Sequence, residues 1–413
     1  MDSVRSVALG AFIATGSGLE SDPVAGLSHL LEHMLFRGTD RFESHEIDEL
    51  FDAMGAELNA GTGKESTSVF TRVLDIHLEE AYDVLSDMVW RPALRDLETE
   101  REVVLEEIAM YEDDPQDKVF DVLGQAVFGD HPLGRAIIGR ADVIRSVDRD
   151  GLAAFHGARY RPEQIVVAAA GSLDHDRIVE LVEASVGDPV APRLQPVLAP
   201  PEPVAPCALF TRKDTEQVHV CLGGPGIPRN DDRRFALRVL DAILGGTSSS
   251  RLFQEVREKR GLAYAVYSFA SQYAEAGQVG LYVGTRADNL AEAMRVVGAE
   301  LDRFAGDPAE EAELSRAKEN VKGRLVLSLE STPSRMNRLG GALLADMPIL
   351  SVDEIIERVD GVTMDAVRGL AADLFQPASL SAAGIGPDEG AFRAALEPIG
   401  QMEGTVSAAN GPA

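Results

Sequence analysis

His29, Glu32 and His33 stand in the run His29-Leu30-Leu31-Glu32-His33, and two imidazoles four residues apart with a carboxylate between them can make a hydrolytic metal centre. On an α-helix each residue advances the side chain by about 100°, so positions 29, 32 and 33 fall within an arc of about 100° and face one point. The two imidazoles can ligate one Zn²⁺, and Glu32 can reach a water activated there; the order is the reverse of HExxH. A catalytic zinc also needs a third protein ligand and one open position, so another His, Asp or Glu must come from elsewhere in the chain.

The carboxylate-rich stretch Glu98 to Ile108 offers that ligand. Glu100, Val104, Glu107 and Tyr111 form one stripe at helical spacing, so Glu100 and Glu107 point the same way two turns apart. Spacing alone does not choose between them.

The positioning elements are legible around these residues. Asp22-Pro23 and Gly26 precede an apolar-periodic run of Leu27, Leu30, Leu31, Met34 and Leu35, which Gly38-Thr39 closes, so the motif sits on a short helix. Val7 to Ala14 reads as a buried strand. Prolines 189, 192, 196, 200, 201, 203 and 206 mark a stiff linker, which divides the chain into residues 1–188, a linker at 189–206, residues 207–401 and a polar tail at 402–413. The two halves echo each other. Val69 to Asp75 leading into Leu78 to Met88 is repeated by Leu281 to Ala287 leading into Leu290 to Leu301, each a strand then an amphipathic helix. Leu97 to Arg101 is likewise matched by Leu314 to Lys318. The expected fold is α+β: two homologous α/β-sandwich halves, each a mainly antiparallel mixed sheet with helices packed on it, facing each other as a clamshell.

The repeat also predicts asymmetry. Aligning Gly38-Thr39 with Gly246-Thr247 sets Leu237 opposite His29, Leu240 opposite Glu32 and Asp241 opposite His33, and the later register sets Arg324 opposite Glu107. One metal per chain follows.

With these residues in hand the sequence resembles the pitrilysin, or insulinase-type, family of metallopeptidases. The resemblance rests on His29-Leu30-Leu31-Glu32-His33 followed 74 residues after His33 by Glu107, and on Gly55 to Ala60, His131 to Arg135, Ser249 to Phe253 and Gly261 to Tyr264. In length the chain is similar to bacterial processing proteases and the catalytic subunit of mitochondrial processing peptidase, which implies a dimer, either a homodimer or a pairing with a homologous chain. The resemblance makes Glu107 the third zinc ligand and Glu100 a supporting carboxylate of the catalytic site. It makes Asn59 and Ala60 a substrate-binding edge strand, and Arg257 and Tyr264 the residues with which the second half holds substrate, Tyr264 also serving in catalysis. The implied activity is hydrolysis of peptide bonds in unfolded peptides, with Glu32 as general base. The alternative within the same fold is a non-catalytic peptide-binding or assembly subunit, whose relatives carry degraded metal motifs. The family's chains usually begin with a further strand before the segment matching Val4 to Gly16; its absence here implies either that Met1 is an internal start or that the first sheet has an exposed edge.

Composition excludes several other classes. Against 39 Lys and Arg stand 68 Asp and Glu, a formal net charge of -29 that repels nucleic acid and anionic lipid. No apolar run is long enough to span a bilayer. Cys207 and Cys221 lack a CxxC spacing and read as buried thiols of a reducing compartment, which places the protein in the cytoplasm. Gly61 to Ser66 glances toward a phosphate-binding loop, but Leu58 and Glu65 occupy positions that need Gly and Ser or Thr.

Overall fold

The computed structural model describes residues 1, 3–186, 198–307 and 309–400. In chain order the elements are β1 (Ser6–Ile13), α1 (Leu27–Met34), α2 (Ser44–Ala53), β2 (Glu57–Thr62), β3 (Thr67–Leu74), α3 (Leu78–Trp90), α4 (Leu97–Asp113), α5 (Pro115–Phe128), α6 (Ala141–Ser146), α7 (Arg149–Arg159), β4 (Ile165–Gly171) and α8 (His175–Val186). There follow β5 (Ala208–Arg212), β6 (Gln217–Gly226), α9 (Arg234–Leu244), β7 (Ala263–Gln272), β8 (Gly277–Arg286), α10 (Leu290–Gly306), α11 (Glu311–Ser328), α12 (Thr332–Leu344), α13 (Val352–Asp360), α14 (Met364–Leu374), β9 (Ser381–Gly386) and α15 (Glu389–Ala395). The fold is α+β, as the sequence leads one to expect. Among the described residues no helix is long and apolar enough to cross a membrane.

The first sheet has the order β2-β3-β1-β4 and is antiparallel throughout. Its centre is β1, whose residues from Val7 onward are all buried, as a strand covered on both faces requires. Its edge is β2, where exposed and half-buried residues alternate as they must on a strand with one face to solvent. The second sheet has the order β5-β9-β6-β8-β7 and is antiparallel except for the parallel pair β5 and β9. The repeat therefore holds for four strands, β2-β3-β1-β4 matching β7-β8-β6-β9, and β3 leads through a single 3₁₀ turn into α3 as β8 does into α10. Among the described residues the first sheet has no counterpart of β5, and β4 is its second edge.

The division of the chain corrects the expected one. Two compact units form, but they are not the sequential halves: the described residues within 1–109, 136–198 and 326–349 make unit 1, and those within 110–135, 199–325 and 350–400 make unit 2. Each half lends the helix that follows its long helix to the other unit. Thus α12 lies on β1 and β4, with Met336 and Leu344 packed among Ala8, Phe12, Ala168 and Ala170. The approach is close enough that a Cβ on Gly340 would fall 2.3 Å from the Phe12 ring. Reciprocally α5 lies on β6, β9 and β5, with Phe120 against Tyr267, Phe269 and Tyr282. An amphipathic helix must bury its apolar stripe on some sheet, but nothing in its own periodicity states which. Residues 189–197, half of the linker expected at 189–206, and all of the tail expected at 402–413 lie outside the described residues.

Candidate metal centre

Eight residues make α1, too few to be stable by helix propensity alone. Packing holds it: Leu30, Leu31 and Met34 are fully buried against Ile13 and Val69 of the sheet and Leu152 and Phe155 of α7. Its start is fixed by Gly26, which the sequence already set before the helix, and by Glu20, which the sequence reading did not single out. Gly26 has φ +102°, and its missing side chain admits Gly139, whose own Cβ would lie 2.1 Å from the Gly26 Cα. Glu20, buried six residues upstream, accepts the Gly26 N–H at 2.7 Å with Oε2 and the Ser28 N–H at 2.6 Å with Oε1. A carboxylate here meets the unpaired N–H groups and the positive end of the helix.

The predicted stripe then converges. His29 Nε2 lies 3.6 Å and His33 Nε2 3.3 Å from the same oxygen, Oε2 of Glu107 on α4. One ligand atom from each of the three residues falls within 4.8 Å of the others, and this is the one such group among the described residues. Zinc bonds of about 2.0–2.2 Å arranged tetrahedrally put neighbouring ligand atoms about 3.3–3.6 Å apart, so the donor set and its spacing fit Zn²⁺. Burial, then the neighbouring His33, lowers the His29 pKa to about 4, which keeps its imidazole neutral and able to donate a lone pair.

Glu100, which the stripe could not separate from Glu107, has a different place. Its side chain is 5% exposed and Oε1 lies 2.8 Å from His33 Nδ1. It stands behind the imidazole, with the Arg37 guanidinium on its other oxygen. A carboxylate accepts, so Nδ1 carries the proton and Nε2 is left as the donor atom facing Glu107.

Glu32 projects from α1 beside the two histidines. Burial raises its pKa above the ordinary carboxylate value, partly offset by the Thr62 hydroxyl, which donates to Oε2 at 2.5 Å. Thr62 closes β2, so the edge strand that carries Asn59 and Ala60 also reaches the general-base candidate. The sequence reading placed an edge strand at Asn59 and Ala60 and set aside Gly61 to Ser66 as a phosphate loop, and so gave this threonine no role. On the same strand the Ala60 N–H donates to Asn59 Oδ1 at 2.8 Å.

In unit 2 the matching positions carry no metal donor set. Asp241 is half-buried, its pKa raised by desolvation, and it accepts the Ser268 hydroxyl at 2.5 Å while Arg324 acts on it electrostatically. The register that set Asp241 and Arg324 opposite His33 and Glu107 thus brings the two within each other's field. Arg257 lies on a π-helical turn, Phe253–Glu258, with its guanidinium 4.7 Å above the Phe253 ring and 4.5 Å above that of Tyr264, whose side chain is exposed. Of the two cysteines Cys221 is buried as expected, whereas Cys207 is half-buried because it precedes the edge strand β5; both are free thiols.

Comparison with known proteins agrees with this picture. The family described as Insulinase (Peptidase family M16) matches residues 2–141, and that described as Peptidase M16 inactive domain matches residues 146–321, the region lacking the zinc residues. An uncharacterized zinc protease of Streptomyces coelicolor is 41% identical, covering 95% of this chain and 88% of its own. Another from Bacillus subtilis, YmxG, is 41% identical over 90% of this chain and 91% of its own. Among solved structures, a peptidase M16 inactive domain from Pseudomonas fluorescens superimposes with a TM-score of 0.84 at 23% identity, covering 94% of this chain and 93% of the other. A protease from Helicobacter pylori gives 0.85 at 20% identity, with 93% and 94% covered. The chain belongs to peptidase family M16, the pitrilysin and insulinase family.

Proposed function

We propose that the chain is a zinc-dependent endopeptidase acting on unfolded peptides. The observation that carries the reading is the convergence of His29 Nε2, His33 Nε2 and Glu107 Oε2, with Glu32 one helical step away. The names of the curated relatives, zinc proteases, support it. His29, His33 and Glu107 hold one Zn²⁺ per chain, and bound there the metal supplies Lewis acidity toward water and toward a scissile carbonyl.

Glu32 accepts the proton of the attacking water and returns it to the leaving amine. Its raised proton affinity suits the second of these tasks without abolishing the first. Thr62 holds Oε2 of the carboxylate, which leaves Oε1 as the oxygen without that partner. Asn59 and Ala60 lie on the edge strand β2, to which an extended peptide adds by main-chain hydrogen bonds, a mode tolerant of sequence, with the Ala60 N–H exchanging its Asn59 Oδ1 partner for the peptide. Arg257, stacked on Tyr264, offers donors for a peptide carbonyl or carboxylate, and the Tyr264 phenol offers one for developing negative charge. Pairing with a second copy of the chain belongs to the same reading.

Glu32→Gln is expected to retain zinc and lose about 10²- to 10⁴-fold in hydrolysis, read by mass spectrometry of products from a random peptide mixture. Full activity in that variant overturns the assignment. Zinc near zero in protein purified without chelators supports instead a non-catalytic peptide-binding subunit.

A further inference from the structure

Arg37 lies three residues beyond the end of α1, where the chain turns back with the Arg37 N–H bonded to the Met34 carbonyl at 3.2 Å. The turn aims the guanidinium at Glu100. Both Nε and Nη2 of Arg37 reach one oxygen, Oε2, while the other, Oε1, is left for His33 Nδ1 at 2.8 Å. The carboxylate is therefore spanned from both sides and cannot rotate about its own axis without breaking one partner. Its side chain is 5% exposed, so water does not replace a lost partner.

We propose that Arg37 is a positioning residue of the metal centre: through Glu100 it fixes the ring orientation and tautomer of His33, and so sets how tightly the three-residue donor set holds zinc. The inference rests on the metal-centre reading above. A surface ion pair alone would contribute little. Here the geometry is different, because the pair is built onto a buried carboxylate whose remaining oxygen orients a ligand. Without Arg37, Glu100 keeps its bond to His33 only by holding a buried charge with no compensating cation. Turning toward solvent or taking up a proton both release Nδ1, and the Nε2 lone pair then no longer has a fixed direction. Lysine keeps the charge but cannot fork two N–H groups onto one oxygen while leaving the second free, so it restores the function only in part.

The test is zinc affinity of the full chain, measured by competition with a chromophoric chelator, for the unmodified protein, Arg37→Met, Arg37→Lys, Glu100→Gln and Arg37→Met/Glu100→Gln. Arg37→Met is expected to weaken zinc binding about 10- to 100-fold, with Arg37→Lys in between. The double variant is expected to bind no more weakly than Glu100→Gln alone, because Arg37 acts through that carboxylate. In metal-free protein the ¹⁵N shifts of the His33 ring are expected to move from one defined tautomer toward a mixture in Arg37→Met, a change that a general loss of stability does not produce in a chain that remains folded. Zinc affinity in Arg37→Met within twofold of the unmodified protein, or losses from the two single variants that multiply in the double, overturns the proposal. An unmodified chain that binds no zinc in the same assay overturns the metal-centre reading itself, and this one with it.

Discussion

Replacing Glu20 with Ala should strike the metal centre without touching a ligand. The two carboxylate oxygens take the Gly26 and Ser28 N–H groups at 2.7 and 2.6 Å, and the residue is 3% exposed. Hydrogen bonds to a charged group contribute about 1.5–3 kcal/mol each, and helix-end electrostatics up to ~2 kcal/mol more where partly buried. Against this stands the cost of desolvating the carboxylate, so the net loss on truncation is about 3 kcal/mol, including two N–H groups left without an acceptor. With only two turns, α1 cannot spread that loss; its first turn, which carries His29, should fray. Urea unfolding of the metal-free protein measures the stability change. Zinc at 100 times its Kd should then restore about 2.7 kcal/mol, since the metal binds the folded state alone. A change below about 1 kcal/mol, or a zinc affinity equal to that of the unmodified protein, refutes the argument that this cap holds the motif in place.

Thr62→Val removes the hydroxyl donor to Glu32, the largest of the effects that oppose burial, so the pKa of this base climbs further. The acid limb of the kcat/KM profile should shift to higher pH with about a 10-fold loss in rate, and an unmoved limb counts against Glu32 as the base. Metal-free protein should lose stability on acidification: His29 titrates near 4 when folded against 6.5 when unfolded, so below 6.5 the unfolded chain binds the extra proton. Stability falls as pH drops from 6.5 toward 4 and levels off below, a loss of about 2 kcal/mol between roughly pH 7.5 and pH 5 that His29→Asn should abolish in urea titrations. Gly139→Ala, at φ +82° with Gly26 Cα 2.1 Å from the added carbon, should cost about 3 kcal/mol or more, and a melting temperature within a degree or two of the unmodified protein contradicts the close approach.

Positions 29, 32 and 33 and the stripe of Glu100 and Glu107 were legible because each depends only on helical periodicity, whereas the choice of Glu107 over Glu100 as the ligand came from the family resemblance. The repeats were readable for the same reason, since a strand followed by an amphipathic helix looks alike in both halves. Glu20, Arg37 and Thr62 escaped because each acts across a turn or between elements, and each is of a type that solvent exposure explains equally well. Glu20 reads as one more acid in a chain with 68 Asp and Glu. The true composition of the two units escaped as well, because the apolar faces of α5 and α12 fit either sheet as far as their own spacing goes.

That reciprocal loan of helices makes the chain indivisible. Cut at the proline-rich segment, the first piece would keep the entire zinc motif yet lack α12, baring Ala8, Phe12, Ala168 and Ala170, while its own α5 would have no sheet to cover. The second piece would have the mirror-image defect. Neither fragment can serve as a miniature of the whole chain, whereas the two synthesised separately carry complementary vacancies and should find each other. A protease that nicked the connection would leave a working whole held by exchanged helices, so the proline-rich segment is where the gene could be split without losing the protein.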